Sequence, residues 1–306
     1  MSGKPRKTRP GRSQLATSGE ESNEAPTRES GSQNVAASHS EVVLNEVAGR
    51  EVVISFDGGP NPIDDGESQV LKALNGISFD QYYQAQQTGW VLYLKSSTDL
   101  SILQAFAARL GHERSIRALE RPFVKYVHNQ LTAVQHHFHG LREALPVLRG
   151  VALFDRLESE SSDIAPIECL TWRRREIENY VCSLATLEAY ATGTAEDASA
   201  GPLFAASEVS RRQNAMREAI AEVESALMTV GKESPWSADS KASEEFLDPV
   251  FASYFKRLDL PNLMAKKSFY ELAEYVPETE IDPEIHEKLD AIADVAEIAT
   301  PGGERT

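Results

Sequence analysis

The amino-acid sequence predicts an α/β protein: a parallel sheet flanked by helices, followed by a helical C-terminal region and preceded by a disordered N-terminal tail. Three observations carry this. Apolar runs of strand length recur at Trp90–Leu94, Phe123–Val127 and Gly150–Phe154. Helical patterns fill the gaps, over 99–110 and 131–144, and strands alternating with helices build βαβ units and a parallel sheet. Residues 1–33 hold almost no large apolar side chain, so they cannot bury enough surface to offset the entropy of ordering.

Length and composition set the frame. A chain of 306 residues with 41% hydrophobic content has room for one large or two ordinary domains with a proper core. A formal net charge of −16 argues against a protein that coats a polyanion non-specifically, because net charge governs such association. Contact with nucleic acid then needs a local basic patch. The stretch from Arg109 to Arg175 offers candidates in Arg114, Arg117, Arg121, Arg149, Arg156 and the run Arg173-Arg174-Arg175. The two cysteines, Cys169 and Cys182, form no Cys-x-x-Cys pair, which fits reduced thiols better than a disulfide framework. The N-terminus lacks an apolar signal core and no run reaches the ~18 apolar residues of a membrane span. These features predict a soluble, cytoplasmic protein.

Taken in order, the chain divides into four segments: 1–33 as a low-complexity tail, 34–88, 89–200 and 201–300. The tail is basic in front and acidic behind, which suits a plain disordered tail or a basic arm touching nucleic acid. Ser38-His39-Ser40 leads into the apolar Val42-Val43-Leu44. Glu51–Phe56 is a strand candidate, and Gly58-Gly59-Pro60-Asn61-Pro62 is strong turn chemistry. Residues 68–74 and 79–87 read as short helices leading to Trp90. Tyr82 and Tyr83 serve either as a stacking platform for bases or as packing aromatics. The first strand runs into Lys95-Ser96-Ser97-Thr98-Asp99, and the third is closed by Asp155-Arg156-Leu157. Chemistry in parallel sheets gathers at these carboxyl ends. His136, His137 and His139 are too close on one helix to face one metal together.

A polar loop over 158–163 precedes a further strand at Ile167–Trp172 and the segment Arg173-Arg174-Arg175-Glu176-Ile177-Glu178-Asn179-Tyr180. Its glutamates suit a helix N-terminus, and its arginines suit internal ion pairs or phosphate contacts alike. Helices are expected over 206–230, 246–258 and 267–275. A last one starts at Asp282-Pro283 and runs to about Ile298, with proline in its first turn.

Several of these motifs together resemble the TOPRIM domain of OLD-family (overcoming lysogenization defect) ATP-dependent endonucleases. Ser38-His39-Ser40 is similar to the switch-histidine end of an ABC-type ATPase domain, so the resemblance makes 34–88 the end of that domain and His39 a contact to the ATP γ-phosphate. Segment 89–200 is then the TOPRIM-like domain and 201–300 its helical extension. The Arg-x-Glu-Ile-Glu-Asn-Tyr run is the most specific local match, and in the family its second glutamate, here Glu178, points at the metal region. The family's first strand ends in Glu-Gly, where this chain has Lys95-Ser96. The family's third strand ends in Asp-x-Asp, where this chain has Asp155-Arg156-Leu157. No Gly-x-x-x-x-Gly-Lys-Ser/Thr loop occurs in the sequence, so the backbone amides that cradle phosphates are missing. ATP then requires a complementary ATPase part.

Mg²⁺ needs several fixed oxygens. The resemblance leaves Asp99, Asp155 and Glu178 as ligand candidates, with Glu158 as a substitute from the loop. Lys95 stands where the family has a ligand, and its ammonium repels a metal. It is expected to pair with Asp155 or Asp99 and give a charge-neutralised site. Three functions follow: a degenerate TOPRIM-like module that associates with DNA or a partner ATPase without cutting, an active Mg²⁺-dependent endonuclease with altered ligands, and a truncated ATPase gene product with no independent function. Arg114, Arg117, Arg173, Arg174 and Arg175 are the expected DNA contacts, and a homo-oligomer is an alternative to the ATPase partner.

Overall fold

The computed structural model describes residues 53–55, 61–63, 77–156, 166–198 and 202–301. The expected tail, His39, the helix expected over 68–74, and Leu157 and Glu158 lie outside these residues. Strand β1 (Val53–Ser55) pairs antiparallel with β2 (Asn61–Ile63). The main sheet holds β3 (Trp90–Leu94), β4 (Val124–Tyr126), β5 (Arg149–Phe154) and β6 (Ile167–Thr171), all parallel, in the order β4-β3-β5-β6.

Helix α1 (Phe79–Thr88) leads into this sheet. The Ser78 hydroxyl accepts the Gln81 N–H at its start, and Gly89 ends it in the left-handed region at φ 72°. A Cβ at position 89 would stand 2.7 Å from the Thr300 carbonyl oxygen. Glycine therefore meets two demands here, conformation and close approach, and β3 starts at once.

Side chains then alternate across the sheet, as strand geometry requires. Trp90, Leu92 and Leu94 of β3, with Val151 and Leu153 of β5, enter one core cluster. Val91, Tyr93, Ala152 and Phe154 enter the other. A strand buried on both faces reads as a continuous apolar run, and all five β3 residues are buried. The second face is covered by α1 through Tyr82 and Ala85, and by α4 (Leu131–Ala144) through Val134, Phe138 and Leu141. Tyr82 is thus a packing aromatic. Gly150 makes room for Phe138, whose ring would lie 3.0 Å from a Cβ at that position.

The first face is covered by α2 (Ser97–Arg109), by α3 (Glu113–Glu120) and by the C-terminal helices. These are α5 (Leu184–Ala198), α6 (Pro202–Thr229), α7 (Asp248–Arg257) and α8 (Pro283–Ile298). A π-helical turn, Ala242–Leu247, runs into α7, and a 3₁₀ segment, Lys266–Tyr275, packs on α2. Phe246, Phe251, Tyr254 and Phe269 share one cluster with Leu92 and Val151. The helices after 200 are therefore a layer of the sheet's own core. The segment expected as a helix over 267–275 is 3₁₀ throughout, with Phe269 and Leu272 buried three residues apart, the repeat of that helix. No described helix is long and apolar enough to cross a membrane.

Candidate functional site

The carboxyl ends of β3 and β5 bring together the residues that the sequence places there. Asp155 follows β5 directly, and Lys95 Nζ lies 2.5 Å from Asp155 Oδ2. The Asp155 backbone N–H is tied to Asn129 Oδ1 at 2.9 Å. Asn129 and its neighbour His128 both adopt left-handed backbone, at φ 64° and 45°. That conformation is tolerated best by residues such as Asn, and it turns the chain after β4 so that this side chain reaches the end of β5.

Asp99 sits in the first turn of α2 and is almost fully buried. One of its oxygens accepts the Lys95 backbone N–H at 3.2 Å, and the other accepts the Ser96 hydroxyl at 2.7 Å. It therefore works as a helix-start cap, close to positive backbone dipoles.

The Glu176–Tyr180 segment borders the site. Glu176, which the resemblance did not single out, is the glutamate that meets Lys95: Oε2 lies 3.6 Å from Nζ. Its other oxygen accepts the Ser243 backbone N–H at 2.7 Å, at the start of the π-helical turn. Glu176 is 1% exposed, so its charge is held between an ammonium and a helix N-terminus. Asn179 pins this segment by accepting the Glu176 N–H and donating to the Ser240 carbonyl, each at 3.0 Å. Glu178 is buried too, and it is near enough to act on Lys95 through its charge when it is ionised.

Burial dominates the electrostatics. It pushes Asp155 up to about 6 against the opposing hydrogen bond and charge of Lys95. It also pushes Glu178 up to about 8, helped by the charges of Glu176 and Asp99. Asp99 is raised by burial as well, with Ser96 and Lys95 opposing. For Lys95, burial pulls the ammonium down, but the hydrogen bond and charge of Asp155, then Glu176 and Glu178, lift it above its ordinary value. The ammonium is the form that the site holds.

Comparison with known protein families, with characterised proteins and with solved structures found no match to this chain.

The chemistry of the donor set decides whether a divalent metal fits. Asp99 spends both oxygens on Lys95 N–H and Ser96 OH. Asp155 spends Oδ2 on the Lys95 ammonium, and Glu176 divides its oxygens between Ser243 N–H and the same ammonium. Among the described residues no three His, Cys, Asp or Glu side chains form a group able to hold a metal. A metal also demands several free oxygens around one point, and Lys95 fills that point. The described residues do not fit Mg²⁺.

The expected DNA contacts are mostly committed to carboxylates. Arg114 binds Glu297 through two 2.9 Å bonds and also pairs with Asp290 and Asp294 of α8. Arg173 pairs with Glu287, and Arg174 reaches Asp282 at 3.6 Å. Arg175 donates to the Asp239 carbonyl at 3.2 Å. Of the five, only Arg117 makes no hydrogen bond or ion pair with a described residue. The histidines separate as well: His136 and His139 are exposed, whereas His137 is buried against Tyr93 and Gln81.

Proposed function

We propose that this chain is a TOPRIM-like module of the OLD type that has given up metal-dependent cleavage and serves as a docking unit beside an ATPase partner. The observation that carries the reading is the Lys95 ammonium, held at 2.5 Å from Asp155 and 3.6 Å from Glu176 at the carboxyl end of a parallel sheet. Sheets of this kind place their chemistry at that edge, and a tethered cation there neutralises the carboxylates a metal would need. The partner is inferred from Ser38-His39-Ser40 without any phosphate-cradling loop. In this reading ATP belongs to the partner. Protein docking is favoured over DNA binding because the net charge is −16 and most of the expected DNA-contacting arginines are already paired. Cys169 and Cys182 form no disulfide, which suits a cytoplasmic setting.

Nicking of supercoiled plasmid with Mg²⁺ or Mn²⁺, alongside Mn²⁺ titration, tests this. The wild type is expected neither to nick nor to bind metal, and Lys95→Glu is expected to gain measurable Mn²⁺ binding. Robust metal-dependent nicking by the wild type, abolished in Asp155→Ala, would overturn the reading in favour of an active nuclease with altered ligands.

A further inference from the structure

Charge is distributed unequally between the two edges of the sheet. At the carboxyl edge Lys95, Arg156, Arg173 and Lys266 all have carboxylate partners. At the opposite edge, where β3 begins, lies an open groove of about 620 Å³ lined by Trp90, Arg114, Arg117 and Arg121, with the carboxylates of Glu120 and Glu297 also in its wall. Arg114 is caged by three α8 carboxylates. Arg117 and Arg121 are exposed, and neither makes a hydrogen bond or ion pair with a described residue. Arg117 touches the α8 carboxylates only through its longer-range charge on Glu297.

Arg117 lies on α3, Arg121 directly follows its last residue, and both line the groove. Their platform is rigid. Ser115 Oγ donates to the Leu289 carbonyl at 2.8 Å in a buried contact, and Leu119 is in the core. Across the groove Gln87 is exposed and carries an amide.

We propose that this groove is a binding site for a compact phosphate-bearing ligand, held by Arg117 and Arg121. A guanidinium is a planar fork that matches phosphate oxygens two at a time. A phosphate group brings more oxygens and more negative charge than a carboxylate, so it is the better match for two forks at once. The groove is open and larger than a lone phosphate, which leaves room for an organic part. A long nucleic acid fits less well, because it would have to cross a chain of net charge −16 with only two free cations among the described residues of the groove. This site is independent of whether the Lys95 edge is catalytic.

Titration calorimetry of the full chain with pyrophosphate, a nucleoside monophosphate and duplex DNA tests the proposal. Saturable binding of the two small ligands is expected, weakened about tenfold or more in Arg117→Ala/Arg121→Ala. Binding in Arg117→Lys/Arg121→Lys is expected to be intermediate, since the charge stays and the fork is lost. Both residues are exposed, so thermal unfolding of the variants should match the wild type and make any loss attributable to the site. Lys256→Ala, on α7, should leave binding unchanged. Absence of saturable binding, binding indifferent to the double substitution, or duplex DNA bound more tightly than the small ligands through the same arginines would each overturn the proposal.

Discussion

Tyr93 and Lys95 leave the same stretch of chain two residues apart, and each meets a polar partner, yet by opposite means. Tyr93 lies inside the sheet, fully buried, and its hydroxyl meets His137 Nδ1 at 2.8 Å while His137 Nε2 meets Gln81 Oε1 at 3.1 Å. With Gln81 Oε1 accepting, the ring carries its proton on Nε2 and accepts from Tyr93, so the chain is neutral throughout. Lys95 lies just past the strand end, 26% exposed, and its cluster is fully ionic. A charge in the sheet interior has no water and no spare backbone donors, and its desolvation would exceed any pairing gain. At the strand ends the backbone N–H groups of Lys95 and Asp155 hold side-chain oxygens, and the Ser243 N–H at the start of the π-helical turn holds another. Position along the strand therefore decides whether a polar cluster is neutral or charged.

The largest expected effect comes from taking away the cation. Lys95→Met leaves buried Asp155 and Glu176 without compensation and should cost about 3 kcal/mol at neutral pH, read from urea unfolding. A cost below ~1 kcal/mol would mean that the carboxylates are neutralised by other means.

The neutral cluster should reveal itself on acidification. Burial, then the charges of Lys125 and His136, lowers His137 to about 4 from an ordinary 6.5. The unfolded chain thus takes up the proton first, so the stability this ring supports is complete above 6.5 and is lost as pH falls toward 4. The loss should be on the order of 2 kcal/mol by about pH 5. In an NMR titration the His137 ring should remain unprotonated well below neutrality, and a midpoint near 6.5 would break the comparison.

Glu178 carries the opposite sign. Its folded value near 8 lies above the ordinary 4.5, so the stability it permits is complete below 4.5 and is lost as pH rises through 8. Glu178→Gln should accordingly raise the urea midpoint at pH 8, by about 1–2 kcal/mol in free energy, and leave it unchanged near pH 4. Equal effects at both pH values would assign the gain to packing. The smallest effect is expected for Tyr93→Phe, which orphans His137 Nδ1 and should cost about 1 kcal/mol in thermal or urea unfolding.

Much of the fold was legible because its signals are local. The continuous apolar run of β3 announces a doubly buried strand. The Gly89 break, the Asp282-Pro283 start of α8 and the long repeat of α6 are read from neighbouring residues alone. Helix α3 gives no such signal: in Glu113–Glu120 only Ser115 and Leu119 are buried, too few to show a period. α5 was missed as well, and the 3₁₀ form of Lys266–Tyr275 depends on how that segment meets α2. The candidate site divides along the same line. Lys95, Asp99 and Asp155 could be placed because strand ends are local features.

Glu176 could not be distinguished from Glu178 by sequence, since two residues of a tight turn point in unrelated directions until the Asn179–Ser240 contact fixes the turn. Arg114, Arg117 and Arg173 looked equivalent for the same reason. Nothing in their spacing shows that α8 runs past with Asp290, Asp294, Glu297 and Glu287. By itself the sequence determined the parallel βα framework and the identity of the residues at its carboxyl edge, because hydrophobic period and chain order act over a few residues. Only the tertiary structure decided which charges meet, and so which cations are used up and which stay free. Coulomb partners are set by distances across the fold, between residues as far apart in sequence as Arg114 and Glu297.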